Sequence, residues 1–329
     1  MTSNNLPYKT FTFTFDPINK VELDVYVPLP NENLNISELE AESLPAVISF
    51  HGGGIISGSK KDLYFPTYLL DILEDVETLF KYLSSDSTEL SSTLKKLGYK
   101  LDSTKLGVIG ISGGDYPARA SFILPSIPKD IKPKAYLNLY GMAGDFLLDH
   151  WIKIKEEGNN LPRFPYDIEK VKLILSSKLN QISDSPINPT GDSSGRVDLL
   201  SHFYHQGTLL DYLLDQVGLS RQLENLSYKD RFSNIPKEKQ YLLLPFNEDI
   251  DYPKSIIFVH GKVDTVVPAQ ASYNAQEQLK SLGIESKAFW VEGANHGLVD
   301  DSNFPNSVPG TEAIFDEAVR DILNALQPM

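Results

Sequence analysis

The sequence has no cysteine among its 329 residues. This absence excludes disulfide bridges, thiolate metal sites and cysteine nucleophiles. Long hydrophobic runs are also missing, because the longest apolar stretches hold only a handful of residues, so we expect no membrane span. The polar, alternating residues 1–15 lack the apolar block of a secretory signal. We therefore expect a cytoplasmic protein.

Positive charge is scarce. The chain has 30 Lys and Arg against 44 Asp and Glu, which gives a net charge of −14. This sign opposes phosphate backbones and anionic lipid, so nucleic acids and membrane surfaces are disfavoured as partners. Hydrophobic residues make up 41% and charged residues 22%, a composition that is typical of a globular protein.

Hydrophobic periodicity predicts the fold class. Apolar and polar residues alternate over residues 10–15 and 21–28 around a turn at 16–20, which predicts two antiparallel strands. Short apolar runs typical of strands buried on both faces follow at residues 46–50, 106–111, 135–140 and 256–259. Helical patterns lie at residues 69–83, 269–282 and 314–326. Together they predict an α/β fold with a mostly parallel central sheet and helices on both faces.

Residues 142–251 do not show this alternation of buried strands and helices. They contain several prolines and helical pieces but no run typical of a buried strand. We expect a helical cap inserted before the last two strands, on a core formed by residues 1–141 and 252–329. Limited proteolysis is expected to cut first within the polar residues 155–195.

Residues 110–114 match the pattern G-x-S-x-G. They follow a predicted strand and precede a predicted helix at residues 116–124. A sharp strand-to-helix turn of this kind exposes the serine hydroxyl and needs glycine on both sides. Ser112 is therefore the predicted nucleophile. The competing interpretation is a glycine-rich turn that only caps a helix.

A serine nucleophile needs a histidine base and a carboxylate, in the chain order Ser, Asp or Glu, His for this kind of fold. Among six histidines, only His296 lies in a turn just beyond the last predicted strand, at residues 287–291. Asp264 follows the buried run at residues 256–259 and is the predicted acid. Its alternative role is that of a helix N-terminal residue near Pro268.

Three glycines follow the first buried run, in the sequence His51-Gly52-Gly53-Gly54. Their backbone N–H groups are expected at the carboxyl edge of the sheet, where the serine also lies. Glycines there let amides approach a substrate oxygen, and with the amide of Gly113 they are predicted to form an oxyanion hole.

These four motifs together resemble the α/β-hydrolase fold, specifically the esterase and lipase relatives of hormone-sensitive lipase. They are the H-G-G-G loop, the G-x-S-x-G elbow, the H-G-x-x-D loop and the N-H-G loop. Residues 259–268 and 290–298 also look like those of prolyl-oligopeptidase-type hydrolases. The resemblance covers roughly residues 8–140 and 252–328.

The resemblance implies hydrolysis of an ester or related acyl bond of a small-molecule substrate, without a cofactor or metal. Ser112 would attack the acyl carbon, His296 would transfer the proton and Asp264 would hold the imidazole. Gly53, Gly54 and Gly113 would stabilise the oxyanion.

The chain departs from these relatives at two places. Relatives carry a buried strand between the oxyanion loop and the elbow, whereas residues 55–104 contain no apolar run of strand length. We therefore expect one central strand to be missing, so that the flanking strands either pair directly or leave an exposed edge. We also expect poor stability and weak or absent esterase activity compared with complete relatives. The second departure is Asp115, whose carboxylate would oppose a nearby oxyanion.

Other functions stay open at this point. A metal site could use His150, His202 and His205, and a prolyl-oligopeptidase-type peptidase is a second enzyme hypothesis. A catalytically impaired hydrolase-fold protein that binds a small molecule is the alternative from another class. Five aromatic residues of the cap are expected mainly to form its core: Phe146, Trp151, Phe203, Tyr204 and Tyr212. The substrate and the oligomeric state are not predicted.

Overall fold

The structure, a computed structural model, describes residues 8–29, 41–56, 69–156, 164–176 and 195–327. Most of the predicted proteolysis segment, including residues 157–163 and 177–194, lies outside these ranges. In the described residues the strands form two separate sheets, one of two strands and one of five.

The first sheet is a hairpin of β1 (Tyr8–Asp16) and β2 (Val21–Pro28), which pair antiparallel as predicted. The carboxylate of Asp16 closes the turn, because it accepts the backbone N–H groups of Ile18 and Asn19 at 2.9 and 3.1 Å. Asx turns of this kind stabilise chain reversals.

The second sheet is parallel throughout, with the strand order β3-β4-β5-β6-β7. Its strands are β3 (Glu42–Phe50), β4 (Tyr99–Ile111), β5 (Ala135–Leu139), β6 (Ser255–Gly261) and β7 (Lys287–Val291). Every residue of β5 is buried, and so is nearly all of β6, as expected for strands that are covered on both faces. The predicted α/β fold with a parallel sheet is confirmed.

Two strand boundaries were wrong. β3 begins at Glu42 rather than at residue 46, and β4 begins at Tyr99 rather than at residue 106. Their early residues pair with each other, from Glu42 opposite Tyr99 to Leu44 opposite Leu101, before a shift in register. These residues are largely polar or exposed, so the criterion of a continuous apolar run did not detect them.

Helices cover the parallel sheet. In the described part of the core they are α1 (Leu69–Leu83), α2 (Glu89–Lys96), α3 (Asp115–Ile123), α10 (Ala269–Ser281) and α11 (Thr311–Leu326). The C-terminal helix buries Ala318, Ile322 and Leu326 against β4, β5 and β6. Its apolar periodicity also predicted Val319 and Leu323 on the buried face, but they are 43% and 49% exposed.

The described part of residues 142–251 is helical. Its helices are α4 (Asp149–Ile152), α5 (Ile168–Ser176), α6 (Arg196–Gln206), α7 (Leu209–Leu213), α8 (Leu219–Leu223) and α9 (Tyr228–Arg231). The elbow helix α3 binds this segment, because Tyr116 and Arg119 donate hydrogen bonds to the carbonyl groups of Leu242 and Leu244 at 2.7 and 2.6 Å. None of the helices in the described ranges has the length and hydrophobicity needed to cross a membrane.

The region of the expected missing strand is described only in part, because residues 57–68 lie outside the described ranges. The described residues 69–98 hold α1 and α2 and no strand before β4 begins, and β2 is not paired with β3. A cavity of about 590 Å³ lies between β2 and β3, lined mainly by aliphatic side chains of these strands, α1 and α2. β3 is therefore an edge strand of the described sheet, and its Val47 is 41% exposed.

Candidate active site

Ser112 lies at a sharp turn between β4 and α3. Its φ angle is +52°, in the left-handed region that residues other than glycine rarely adopt. The turn spans Ser112–Gly114 and leads directly into the helix. This is the strained strand-to-helix turn that the G-x-S-x-G pattern predicts.

The glycines around Ser112 permit close backbone contacts. A Cβ atom on Gly114 would lie 2.1 Å from the carbonyl oxygen of His51 and 2.3 Å from that of Phe50. A Cβ atom on Gly110 would lie 2.5 Å from the Cα atom of Asp115. Glycine is therefore needed for the turn to approach both the end of β3 and its own helix.

The three predicted triad residues meet at the carboxyl edge of the sheet. Ser112 Oγ lies 2.9 Å from His296 Nε2, and His296 Nδ1 lies 2.8 Å from Asp264 Oδ2. A carboxylate can only accept hydrogen bonds, so Nδ1 carries the proton and Nε2 is left to accept the serine proton. This is the arrangement that a serine nucleophile and its base require.

Asp264 is held as an anion. Its side chain is buried, and Oδ1 accepts the backbone N–H groups of Val266 and Val267, each at 2.8 Å. Burial alone would raise the pKa of Asp264, but hydrogen bonds from His260 and His296 outweigh it and lower the pKa well below its ordinary value.

His260 and Asn295 belong to the H-G-x-x-D and N-H-G motifs, but the sequence analysis predicted no role for them. His260 Nε2 lies 3.3 Å from Asp264 Oδ2, and its spacing of four residues from that acid was the available signal. Asn295 Oδ1 accepts the backbone N–H groups of Thr265 and His296 at 2.8 and 2.7 Å. The amide of Asn295 thus links the loop that carries the acid to the loop that carries the base.

Tyr140 is a third residue that the sequence did not reveal. It follows β5 with a φ angle of +42°, and its ring meets the imidazole of His296 edge to face with centroids 5.0 Å apart. Burial, with a smaller contribution from Asp264, raises the pKa of Tyr140 to about 12. The ring is therefore a neutral surface beside the base.

The H-G-G-G loop lies against the elbow. Gly53 and Gly54 have φ angles of +114° and +61°, which favour glycine. A Cβ atom on Gly113 would lie 2.8 Å from the backbone nitrogen of Gly54, so the loop and the elbow are in close contact. The structure thus brings Gly53, Gly54 and Gly113 together beside Ser112; their role as oxyanion donors stays a prediction.

Asp115 does not face this loop. Its carboxylate accepts hydrogen bonds from Tyr136 Oη and, at 2.7 Å, from Asn138 Nδ2, both on β5. Because β4 lies between β3 and β5, these partners are on the opposite side of the elbow strand from the H-G-G-G loop. The carboxylate is buried in a polar network under β5, and its effect on an oxyanion stays a prediction.

The histidines of the metal hypothesis make aromatic contacts. The ring of His150 lies 4.5 Å from Trp151 and 4.8 Å from Tyr204, and His202 lies 5.1 Å from Tyr166. Among the residues that the structure describes, no group of three or more His, Asp or Glu side chains could hold a metal ion.

The aromatic residues singled out in residues 142–251 are mainly packing residues. Phe146, Trp151 and Tyr204 are buried in the main hydrophobic cluster. Phe203 and Tyr212 are partly buried and stack on each other with centroids 4.4 Å apart. Leu200 of α6 approaches the H-G-G-G loop more closely, since a Cβ atom on Gly54 would lie 2.1 Å from its side chain.

Solved structures of esterases match nearly the whole chain. An esterase of Pyrobaculum calidifontis is 17% identical over 98% of this chain and 88% of its own, with a TM-score of 0.54. The thermostable carboxylesterase EstE1 from a metagenomic library is 16% identical over 98% of this chain and 90% of its own, with a TM-score of 0.52.

A third match is MGS-M1, an α/β-hydrolase enzyme from a deep-sea metagenome library of the Medee basin. It is 14% identical over 97% of this chain and 98% of its own, with a TM-score of 0.51. No family model matches the sequence, and no curated protein is significantly similar to it. At identities this low, the structural matches establish the fold but leave the activity open. The fold that the motifs predicted is thus confirmed, and the chain is an α/β-hydrolase-fold protein with esterases among its structural neighbours.

Proposed function

We propose that the protein is a serine hydrolase that cleaves a carboxylic ester or a related acyl bond. The observation that carries this proposal is the hydrogen-bond chain from Ser112 through His296 to Asp264, with distances of 2.9 and 2.8 Å. The chain starts at a strained elbow and ends at a buried, ionised carboxylate, as nucleophilic acyl transfer requires.

In the first half-reaction Ser112 Oγ bonds to the acyl carbon while its proton passes to His296 Nε2. The carbonyl oxygen becomes an oxyanion, for which the N–H groups of Gly53, Gly54 and Gly113 are the proposed donors. The acyl–oxygen bond then breaks, and the leaving alcohol takes the proton from His296.

In the second half-reaction a water molecule attacks the acyl-enzyme and gives its proton to His296. The carboxylic acid leaves, and the proton returns to Ser112 Oγ. Asp264 stays ionised throughout, and its charge stabilises the imidazolium that forms in each half-reaction.

The walls near the site favour an apolar substrate group. Leu200 lies beside Gly54, and the ring of Tyr140 lies beside His296. Side chains of this kind bury the acyl or alcohol part of an ester without leaving a polar group unpaired.

A non-catalytic small-molecule binder is the second candidate. One observation favours it: β3, which carries the proposed oxyanion loop, borders a cavity of about 590 Å³ instead of pairing with β2. A loop on such an edge would hold its amides less firmly, and losing one oxyanion donor typically costs about 10²–10³ in kcat.

Labelling with a fluorophosphonate and hydrolysis of a short p-nitrophenyl ester test the proposal. We expect labelling at Ser112, loss of both signals in Ser112→Ala, and nearly as severe a loss of turnover in His296→Ala. The double variant should be hardly worse than either single variant, because the two residues act as a unit. Ser121→Ala, a buried serine on the same helix, is the matched control and should keep both signals.

Labelling without turnover would support the binder with an intact nucleophile. No labelling of folded protein, or equal labelling of Ser112→Ala, would reject Ser112 as the nucleophile.

A further inference from the structure

The carboxylate of Asp264 is shared by two histidines. Its Oδ2 atom accepts a hydrogen bond from His296 Nδ1 at 2.8 Å and lies 3.3 Å from Nε2 of His260. His260 belongs to β6, and its side chain is 0% exposed. Its imidazole has no part in the reaction steps given above.

The contacts of His260 determine which of its ring nitrogens carries the proton. Nε2 lies 2.9 Å from the carbonyl oxygen of Val267, which can only accept, so Nε2 carries the proton and shares it between this oxygen and Oδ2 of Asp264, at 3.3 Å. Nδ1 is then the acceptor for the hydroxyl group of Ser272, at 2.8 Å. The ring thus connects three elements: β6, the loop that carries the acid, and α10.

We propose that His260 is a positioning residue for the hydrolytic reaction, which holds Oδ2 of Asp264 in the place where His296 Nδ1 can donate to it. The inference rests on the proposed function. Oδ1 of Asp264 is already fixed by the N–H groups of Val266 and Val267. The shared N–H group of His260 also lies against the second oxygen, Oδ2, so it opposes a rotation of the carboxylate away from the base.

The surroundings of Asp264 single out His260. In the part of the chain that the structure describes, three groups donate hydrogen bonds to its carboxylate, namely His296 and the amides of Val266 and Val267, and the shared N–H group of His260 is the fourth polar contact. Tyr140 and His150 also lie close enough to interact with its charge. His150 Nε2, however, donates to the carbonyl oxygen of Val266 at 2.8 Å, and Tyr140 meets the ring of His296.

Two substitutions of His260 separate donation from packing. His260→Phe keeps an aromatic ring but removes the donor, and should lower kcat for p-nitrophenyl acetate by about 10–100-fold. KM should change by less than about twofold, because the base acts only in the transition state. His260→Gln offers an amide donor near the Nε2 position and should recover most of kcat. If His260→Phe does not fold, His260→Asn, whose donor is too short to reach Asp264, replaces it in the comparison.

His150→Phe is the matched control. His150 is also a buried histidine whose Nε2 donates to a carbonyl group of the same loop, at the neighbouring residue Val266. A purely structural role predicts the same loss of kcat in both Phe variants at equal loss of stability in urea. A positioning role predicts a large loss only at His260.

A readout that needs no turnover completes the test. In Ser112→Ala protein the proton on His296 Nδ1 should give a low-field NMR resonance, because it is donated to a buried carboxylate. Adding His260→Phe should move or broaden this resonance, and adding His150→Phe should leave it in place.

The outcomes distinguish a failure of the proposed function from a failure of the role proposed for His260. If the wild type neither labels nor hydrolyses esters, the proposed function is wrong, and the resonance alone decides the role of His260. An unchanged kcat and resonance in His260→Phe, or equal effects of His150→Phe, would overturn the inference.

Discussion

Replacing Gly114 by alanine tests whether the contact between the elbow and β3 holds the site together. The φ angle of Gly114 is −67°, which any residue adopts, so alanine adds no backbone strain of its own. Its Cβ atom would lie 2.1 and 2.3 Å from the carbonyl oxygens of His51 and Phe50. Real Cβ contacts essentially never fall below 3.0 Å, so the elbow and the end of β3 must separate by nearly 1 Å.

The size of the effect follows from this overlap. Both oxygens belong to the backbone and cannot rotate away, so the cost lies at the upper end of the overpacking range, about 3 kcal/mol in the free energy of unfolding. For a chain of 329 residues this lowers Tm by about 4 °C. A shift of 1 Å in the groups around a reacting centre costs about 10²-fold in kcat.

Urea denaturation and turnover of p-nitrophenyl acetate measure both effects. Gly283→Ala is the matched control, because Gly283 has a φ angle of +74° and nothing within 4 Å of its Cβ position. It should cost about 1–2 kcal/mol for the left-handed backbone and leave kcat unchanged. Wild-type stability and turnover in Gly114→Ala would show that the elbow and β3 do not depend on this contact.

Three further predictions concern buried charges. The lowered pKa of Asp264 means that its carboxylate stabilises the fold above about pH 4 and that this contribution is lost as pH falls through the folded pKa. Asp264→Asn should therefore lower the urea unfolding free energy by a constant amount between about pH 5 and 8, by less below about pH 4, and kcat by about 10⁴-fold. Burial lowers the pKa of Lys155 to about 7, so the unfolded chain binds more protons up to the ordinary value of about 10.4. Stability in urea should rise with pH across that interval, and Lys155→Met should remove the rise. Asp115→Ala leaves the hydroxyl of Tyr136 without its acceptor and removes the nearer of the two acceptors of the Asn138 amide, and should cost about 3 kcal/mol in the same assay.

The sequence predicted the elements whose signal is local. Continuous apolar runs located β5, β6 and the second half of β4, because strands buried on both faces need apolar side chains at every position. Helix α2 was missed because it is short and mostly polar. Its available signal was Thr88, whose hydroxyl accepts the backbone N–H of Ser91 at 3.1 Å and caps the helix.

In the candidate site, too, residues with a local sequence signal were predicted and contacts between distant loops were not. Ser112, Asp264 and His296 were predicted because each lies in a short motif that fixes its position relative to a strand. The contacts of Tyr140 and Asn295 could not be predicted, because they join loops that follow different strands and exist only once the sheet has formed. The direction of the Asp115 carboxylate was likewise decided by partners on β5.

The link through Asn295 has a mechanical consequence. Its amide oxygen holds the acid loop and the base loop together, and the amide of Val263 donates to the carbonyl group of Ala294 at 3.2 Å beside it. The loops of Asp264 and His296 are thus tied to each other by hydrogen bonds, while Ser112 lies on a separate turn at the elbow. We therefore expect Asp264 and His296 to shift together, so that motion of α3 changes mainly the distance between Ser112 Oγ and His296 Nε2.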